Sequence, residues 1–225
     1  MSIKNNIDRI KHDIQEAALK TDRSLRDITI IGVTKNRTLP EIKKVYDAGI
    51  IHFGENKVQE FLKKYPLKSE DCKYHFIGHL QRNKVKYLLG KIDLIQSIDT
   101  RRLAEEIDKR AKEIQIVQDV LIEINIGKEY SKYGVFTEEI KNFLQELKDF
   151  KNIKIKGLMT MAPFVLPEET RRFFKKMKKL FIMIKEKNIC GVEMKYLSMG
   201  MSNDFKVAVE EGSNMVRIGQ AIFEE

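Results

Sequence analysis

The chain has 225 residues, 42% hydrophobic and 33% charged, enough apolar material for a sizeable core in an ordinary globular protein. Its 42 Lys and Arg against 33 Asp and Glu leave a net charge of +9, which admits an anionic partner. Cys72 and Cys190 are too few and too far apart for a disulfide framework or a thiolate metal site. No segment reaches the ~20 apolar residues of a membrane span, and the N-terminus lacks a signal-peptide core, so the cytoplasm is the expected location.

Helical periodicity opens the chain, with Ile3, Ile7, Ile10, Ile14, Ala17 and Ala18 on one face. β-rich runs follow at 28–35, 51–55, 74–79, 92–98, 118–126, 153–161, 193–199 and 215–219. Helix-patterned stretches lie between them, near 40–48, 56–64, 81–90, 101–112, 137–149, 168–187 and 203–211. "TLPE" (38–41) reads as a capping box with Pro in the first turn, and Thr137 before Glu138 and Glu139 as a second cap. In 170–187, Phe173, Phe174, Met177, Leu180, Phe181 and Ile184 form an apolar stripe. The interleaved Lys and Arg therefore read as a solvated face, and no nucleic-acid recognition motif accompanies the charge.

No linker or composition break divides residues 1–225, which points to a single domain. Eight strands alternating with helices admit a closed (β/α)8 TIM barrel or an open doubly wound α/β sheet, and the repeat count favours the barrel. An extra N-terminal helix precedes it. In such barrels chemistry collects where the strands end. Here the strands end on Lys35, Glu55 and Asn56, His79, Ser97, Asn125, Thr160 and Met161, Ser198 and Arg217, a polar rim that reads as a functional site.

The rim holds two features of one chemistry. "LSMGMSND" (197–204) and "RIGQ" (217–220) carry small residues, Ser198, Gly200, Ser202 and Gly219, that let backbone N–H groups approach an anion. A helix starting near Ser202 or Asn203 adds its positive end. Loops after strands 7 and 8 are a frequent phosphate site in this barrel. Lys35, at the end of the apolar run "ITIIGVTKN" (28–36), is expected half-buried at the mouth. Partial desolvation favours the neutral amine that attacks an aldehyde; a lysine snorkelling from the rim to water, or an ion pair with Glu55, is the alternative. A lysine beside a phosphate cradle suits pyridoxal phosphate or a sugar-phosphate aldolase substrate. Arg217 bears on the choice, because a guanidinium opposite a pyridine nitrogen donates to it and leaves it unprotonated.

At this point the motifs carry a resemblance. "GVTK" (32–35), "FGENKVQE" (53–60), "HFIGHLQRNK" (75–84), "IQSID" (95–99), "INIGKEYSKYGV" (124–135), "GLMTMAP" (157–163), "LSMGMSNDF" (197–205) and "MVRIGQAIF" (215–223) resemble, nearly end to end, the pyridoxal phosphate homeostasis proteins. These are single-barrel relatives of the alanine-racemase-type enzymes. The resemblance implies a Schiff base between Lys35 and pyridoxal 5'-phosphate, with Asn56 beside the ring near its hydroxyl. It places Arg217 at the ring nitrogen and Met161 against the ring. Ser198, Ser202, Gly219 and Gln220 would contact the phosphate, largely through backbone N–H groups. Gln220 stands where many relatives have Thr, and the chain ends "FEE" rather than running on through the usual Gly.

The resemblance also separates two functions. Racemases of this type add a β-rich domain, dimerise and take a tyrosine from the partner as second base. With six residues after Gly219, no added β domain is expected here, and a monomer is. His79 is the spare acid/base on the rim and reads as polar packing. The expectation is a carrier without catalytic residues that buffers and supplies the cofactor, with apo-enzymes as acceptors. A racemase-like enzyme is the alternative, and a nucleic-acid-binding protein the third.

Overall fold

The computed structural model describes residues 2–65 and 71–224. Eight strands form: β1 (Thr29–Val33), β2 (His52–Glu55), β3 (Lys73–Phe76), β4 (Leu94–Ile98), β5 (Gln118–Ile124), β6 (Ile153–Thr160), β7 (Val192–Ser198) and β8 (Met215–Ile218). Each pairs in parallel with the next, and β8 returns to β1 in the register Thr29↔Met215 to Gly32↔Ile218. The sheet is therefore the closed barrel and not the open alternative.

The helix α1 (Ile3–Leu19) precedes the barrel, and one helix follows each strand. These are α2 (Leu39–Asp47), α3 (Val58–Lys64), α4 (Val85–Leu88), α5 (Arg101–Glu113), α6 (Ile140–Leu147), α7 (Pro167–Glu186), α8 (Phe205–Glu210) and α9 (Gln220–Phe223). None of the described helices is long and apolar enough to cross a membrane.

Local chemistry sets most of these boundaries. Ser2 Oγ accepts from the Asn5 N–H at 3.2 Å to open α1. The box at α2 forms as expected, with Glu41 accepting from both the Thr38 N–H and the Thr38 hydroxyl. Thr137 does not cap α6: its hydroxyl donates to Glu138, and the helix starts three residues later. The window 81–90 yields a 3-10 turn at Arg82–Lys84 and one α-turn. There Leu89 swings extended, and Gly90 takes φ +76°. α9 lies beyond the helical windows expected from the sequence.

Between barrel and helices lies the main core, which includes fully buried Phe53, Phe61, Phe76 and Phe174. Burying one such side chain stabilises by roughly 1.5–3 kcal/mol. α1 buries Ile7, Ile10, Ile14, Ala17 and Ala18 against this shell, and Asn6 Nδ2 donates to the Ile222 and Glu224 carbonyls behind α9. Inside the barrel the apolar cluster is small: Ile31, Leu94, Leu121, Met159 and Met215. Strand alternation explains what fills the rest. Two residues beyond Leu94 stands Gln96, and two beyond Met215 stands Arg217, both buried.

Candidate functional site at the barrel mouth

A cavity of about 590 Å³ opens where the strands end. Val33, Lys35, Asn56, Ile77 and Gly78 form one wall, Met161 to Val165 a second, and Met201 to Asp204 with Arg217, Gly219 and Gln220 the third. Seven of the eight residues expected in the site thus share one cavity. The eighth, Ser198, lies beneath it: its side chain is fully buried between Arg217 and Gln96.

Lys35 departs from the expectation in two ways. It sits two residues past the end of β1 and is exposed rather than half-buried. Its suggested partner Glu55 is taken by Lys64, whose Nζ donates to Glu55 Oε1 at 2.6 Å and to the Thr34 carbonyl at 2.6 Å. The Thr34 hydroxyl also donates to Glu55. Asn36 follows at φ +58°, a left-handed conformation that Asn tolerates better than most residues, and its N–H donates to Glu60 Oε2 at 2.9 Å. Among the described residues, none bonds the Lys35 amine.

The third wall is lined by backbone donors. Ser202 Oγ accepts from the Ala221 N–H at 3.2 Å, tying the loop after β7 to the start of α9. Asp204 accepts from the Met201 N–H at 2.6 Å, which closes the turn between them. Gly200 takes φ +98°, and a Cβ there would lie 2.6 Å from the Ala208 Cβ. Among the described residues, none accepts from the N–H groups of Ser202, Asn203, Gly219 or Gln220. Ser202 and Asn203 precede α8, which starts at Phe205 and not near Ser202 as expected, while Gly219 and Gln220 open α9.

Arg217 is 4% exposed and reaches up from β8. Its Nη1 donates to Ser198 Oγ at 2.6 Å and its Nη2 to the Thr160 carbonyl at 2.8 Å. Of its five guanidinium N–H donors, two are used in these bonds. Burial pushes its pKa down to about 10, against the attraction of Asp204 and Glu123.

The bonds continue downward with a fixed polarity. Ser198 Oγ, accepting from Arg217, donates to Gln96 Oε1 at 2.7 Å. Gln96 Nε2 then donates to His75 Nδ1 at 3.1 Å, which places the His75 proton on Nε2, aimed at His52 Nδ1 2.9 Å away. Complete burial holds the His75 pKa down at about 3, so the ring is neutral.

Asn56 supplies a group in want of a partner, since its Oδ1 is buried without a hydrogen bond among the described residues. Gly78 lets the Asn56 backbone pack close: a Cβ there would meet the Asn56 main-chain oxygen at 2.3 Å. Other polar rim residues serve the framework instead. Ser97 Oγ donates to the Gly78 carbonyl at 2.6 Å, and Asn125 Nδ2 holds the loop at Glu129 (2.8 Å) and Lys132 (3.2 Å). His79 stacks on Tyr133 at 3.7 Å, with Nδ1 3.8 Å from Asp99 Oδ2, outside the cavity lining. Glu123, which the sequence reading passed over, is buried on β5; burial first and then Asp99 push its pKa up to about 7. Its place at the next-to-last position of a strand, on the inward parity of Leu121, was the available signal.

Comparison with known proteins shows what this barrel is related to. The family model for the alanine racemase N-terminal domain matches residues 5–225. A pyridoxal phosphate homeostasis protein of Aquifex aeolicus is 44% identical over 227 residues, covering 100% of this chain and 99% of the relative. This chain belongs to the pyridoxal phosphate homeostasis protein family. Another member of the family, from Haemophilus influenzae, is 33% identical, covering 99% of this chain and 95% of its own. The solved structure of PipY from Synechococcus elongatus, with PLP bound, superposes with a TM-score of 0.80 at 30% identity, over 92% of this chain and 99% of that one. Alanine racemase of Clostridium difficile is 17% identical with a TM-score of 0.74, a likeness of fold; it covers all of this chain and 56% of that one.

Proposed function

We propose that this chain binds pyridoxal 5'-phosphate, holds it on Lys35 as a Schiff base, and buffers and supplies it in vitamin B6 homeostasis without robust catalysis. One observation carries this reading: a single cavity joins the unbonded Lys35 amine, the Asn56 side chain with its unpartnered Oδ1, the Arg217 guanidinium and four backbone N–H groups that no described residue bonds. That donor set fits the group. An amine matches an aldehyde, backbone N–H groups match a phosphate, and a guanidinium matches a neutral ring nitrogen. The family membership and the PLP-bound relative support the same reading.

The cofactor supplies an electrophilic aldehyde and a ring that accepts electrons. Lys35 Nζ would be the amine that holds that aldehyde. Ser202, Asn203, Gly219 and Gln220 offer their N–H groups to the phosphate, and Gln220 needs no side-chain hydroxyl to do so. Asn56 would face the ring hydroxyl, Met161 would pack against the ring face, and Arg217 would donate to the ring nitrogen. A donor that keeps its own proton leaves that nitrogen unprotonated, which weakens the ring as an electron sink and favours storage over turnover.

The cavity lining supports the carrier reading further. Among its described residues are no histidine and no tyrosine, and its one carboxylate, Asp204, is engaged by the Met201 N–H. His79 is engaged with Tyr133. Mixing the purified protein with pyridoxal phosphate should give a yellow species that borohydride fixes and that Lys35→Ala lacks. The loaded protein should restore activity to an apo-enzyme, and amino acids should show no Cα deuterium exchange. A wild type that takes up no cofactor, or rapid exchange at Cα, would overturn the reading.

A further inference from the structure

Lys35 ends on a free side chain, yet the residues on either side of it are tied down by side chains from β2 and α3. The Thr34 carbonyl accepts from Lys64 at 2.6 Å, and the Thr34 hydroxyl donates to Glu55. On the far side, the Asn36 N–H donates to Glu60 Oε2 at 2.9 Å. Lys64 joins the two halves, 2.6 Å from Glu55 Oε1 and 3.6 Å from Glu60 Oε2. We propose that Lys64, Glu55 and Glu60 form a clamp of positioning residues that aims the Lys35 amine into the cavity. This rests on the reading of Lys35 as the amine that holds the cofactor.

The energetics of the clamp favour orientation over stability. The Lys64 side chain is 9% exposed and that of Glu55 0%. Burying such a pair costs much of what its attraction returns, and well-packed apolar residues often do as well or better. Glu55 Oε2 has no partner among the described residues, a further cost that a purely structural site would tend to avoid. The clamp does accomplish one thing an apolar pair cannot. It bonds a carbonyl, a hydroxyl and an N–H of the turn that bears Lys35, and so fixes the root of a long flexible side chain. Asn36, at φ +58°, is bonded by one of them, through its N–H to Glu60.

The test is a double-mutant cycle. Lys64→Met and Glu60→Gln are made in the wild type and in Lys35→Ala, and pyridoxal phosphate binding is measured by equilibrium dialysis. The rise of the yellow species is followed by rapid mixing where Lys35 is present. A clamp that acts through Lys35 weakens binding and slows the colour change about tenfold in the Lys35-bearing protein, and changes binding less than twofold in the Lys35→Ala background. Equal weakening in both backgrounds, or none in either, overturns it. Circular dichroism monitors folding. Should Lys64→Met fail to fold with Glu55 left unpaired, Glu60→Gln, at the better-exposed edge, carries the test alone. A wild type that takes up no cofactor overturns the functional reading itself, whereas normal uptake with unchanged variants overturns only the clamp.

Discussion

Arg217 donates through Nη1 to Ser198 Oγ at 2.6 Å, with both side chains buried inside the barrel. The serine is the hinge of a one-way chain: it accepts from Arg217 and passes its own proton to Gln96 Oε1. Ser198→Ala therefore strands a buried donor and a buried acceptor together. The expected loss is about 2 kcal/mol, read as a fall in Tm of about 4–8 °C. Pyridoxal phosphate uptake should fall as well, because the guanidinium loses one of its two fixed bonds. A variant that melts like the wild type would show that the chain contributes little.

Asn56 offers the contrasting case. Its Oδ1 is already buried without a partner, so Asn56→Ala leaves no new orphan in the folded protein. Its stability should stay within about 1 kcal/mol of the wild type, while affinity for pyridoxal phosphate falls by about tenfold, the worth of one good hydrogen bond. Thermal melts and dialysis on the same preparation separate the two effects.

Two buried groups set opposing pH dependences. His75 titrates at about 3 when folded against 6.5 ordinarily, so the unfolded chain binds the extra proton and stability falls as the pH drops through that window. Glu123 titrates at about 7 when folded against 4.5, so the folded chain holds the extra proton and stability falls as the pH rises from 4.5 to 7. The two slopes, each at most about 1.4 kcal/mol per pH unit, oppose one another between 4.5 and 6.5. Relative to the wild type, Glu123→Gln should gain stability as pH rises to 7, and His75→Gln should gain it as pH falls below 6.5. Urea midpoints from pH 4 to 8 measure both.

Gly200 holds the third cavity wall in place. With φ at +98° and an added Cβ only 2.6 Å from the Ala208 Cβ, Gly200→Ala must both strain the turn and push α8 away. A destabilisation of about 2–4 kcal/mol is expected. Cofactor uptake should fall more steeply than in Gly191→Ala, which also has a positive φ but meets nothing within 4 Å and precedes the start of β7, at the other end of the strand from the cavity.

Much of the barrel was legible because its signals are local. Apolar runs of strand length, the capping box at Thr38 and the stripe from Phe173 to Ile184 each depend on neighbours a few residues apart. The motif-bearing candidates Lys35, Asn56, Met161, Ser202, Arg217, Gly219 and Gln220 come together because β/α alternation puts every strand end on one rim. Where structure and sequence part, a nearer partner intervenes. The alternative of a Lys35–Glu55 ion pair does not form because Lys64, the last residue of α3, holds the carboxylate. Thr137 read as a helix cap, but its hydroxyl found a nearer partner in Glu138.

By itself, then, the sequence determined which residues alternate inward and outward, how many βα units close the barrel, and which strand ends carry an amine, a guanidinium and small-residue loops. It could do so because periodicity and turn chemistry act over short stretches of chain. Only the tertiary structure decided that Ser198 turns its hydroxyl to Arg217 and Gln96, that Asn56 keeps an unpartnered oxygen, and that Lys64 and Glu60 hold the turn on both sides of Lys35. Those relationships join residues as many as 102 positions apart, and a buried polar atom bonds whichever partner the closed barrel brings within about 3 Å.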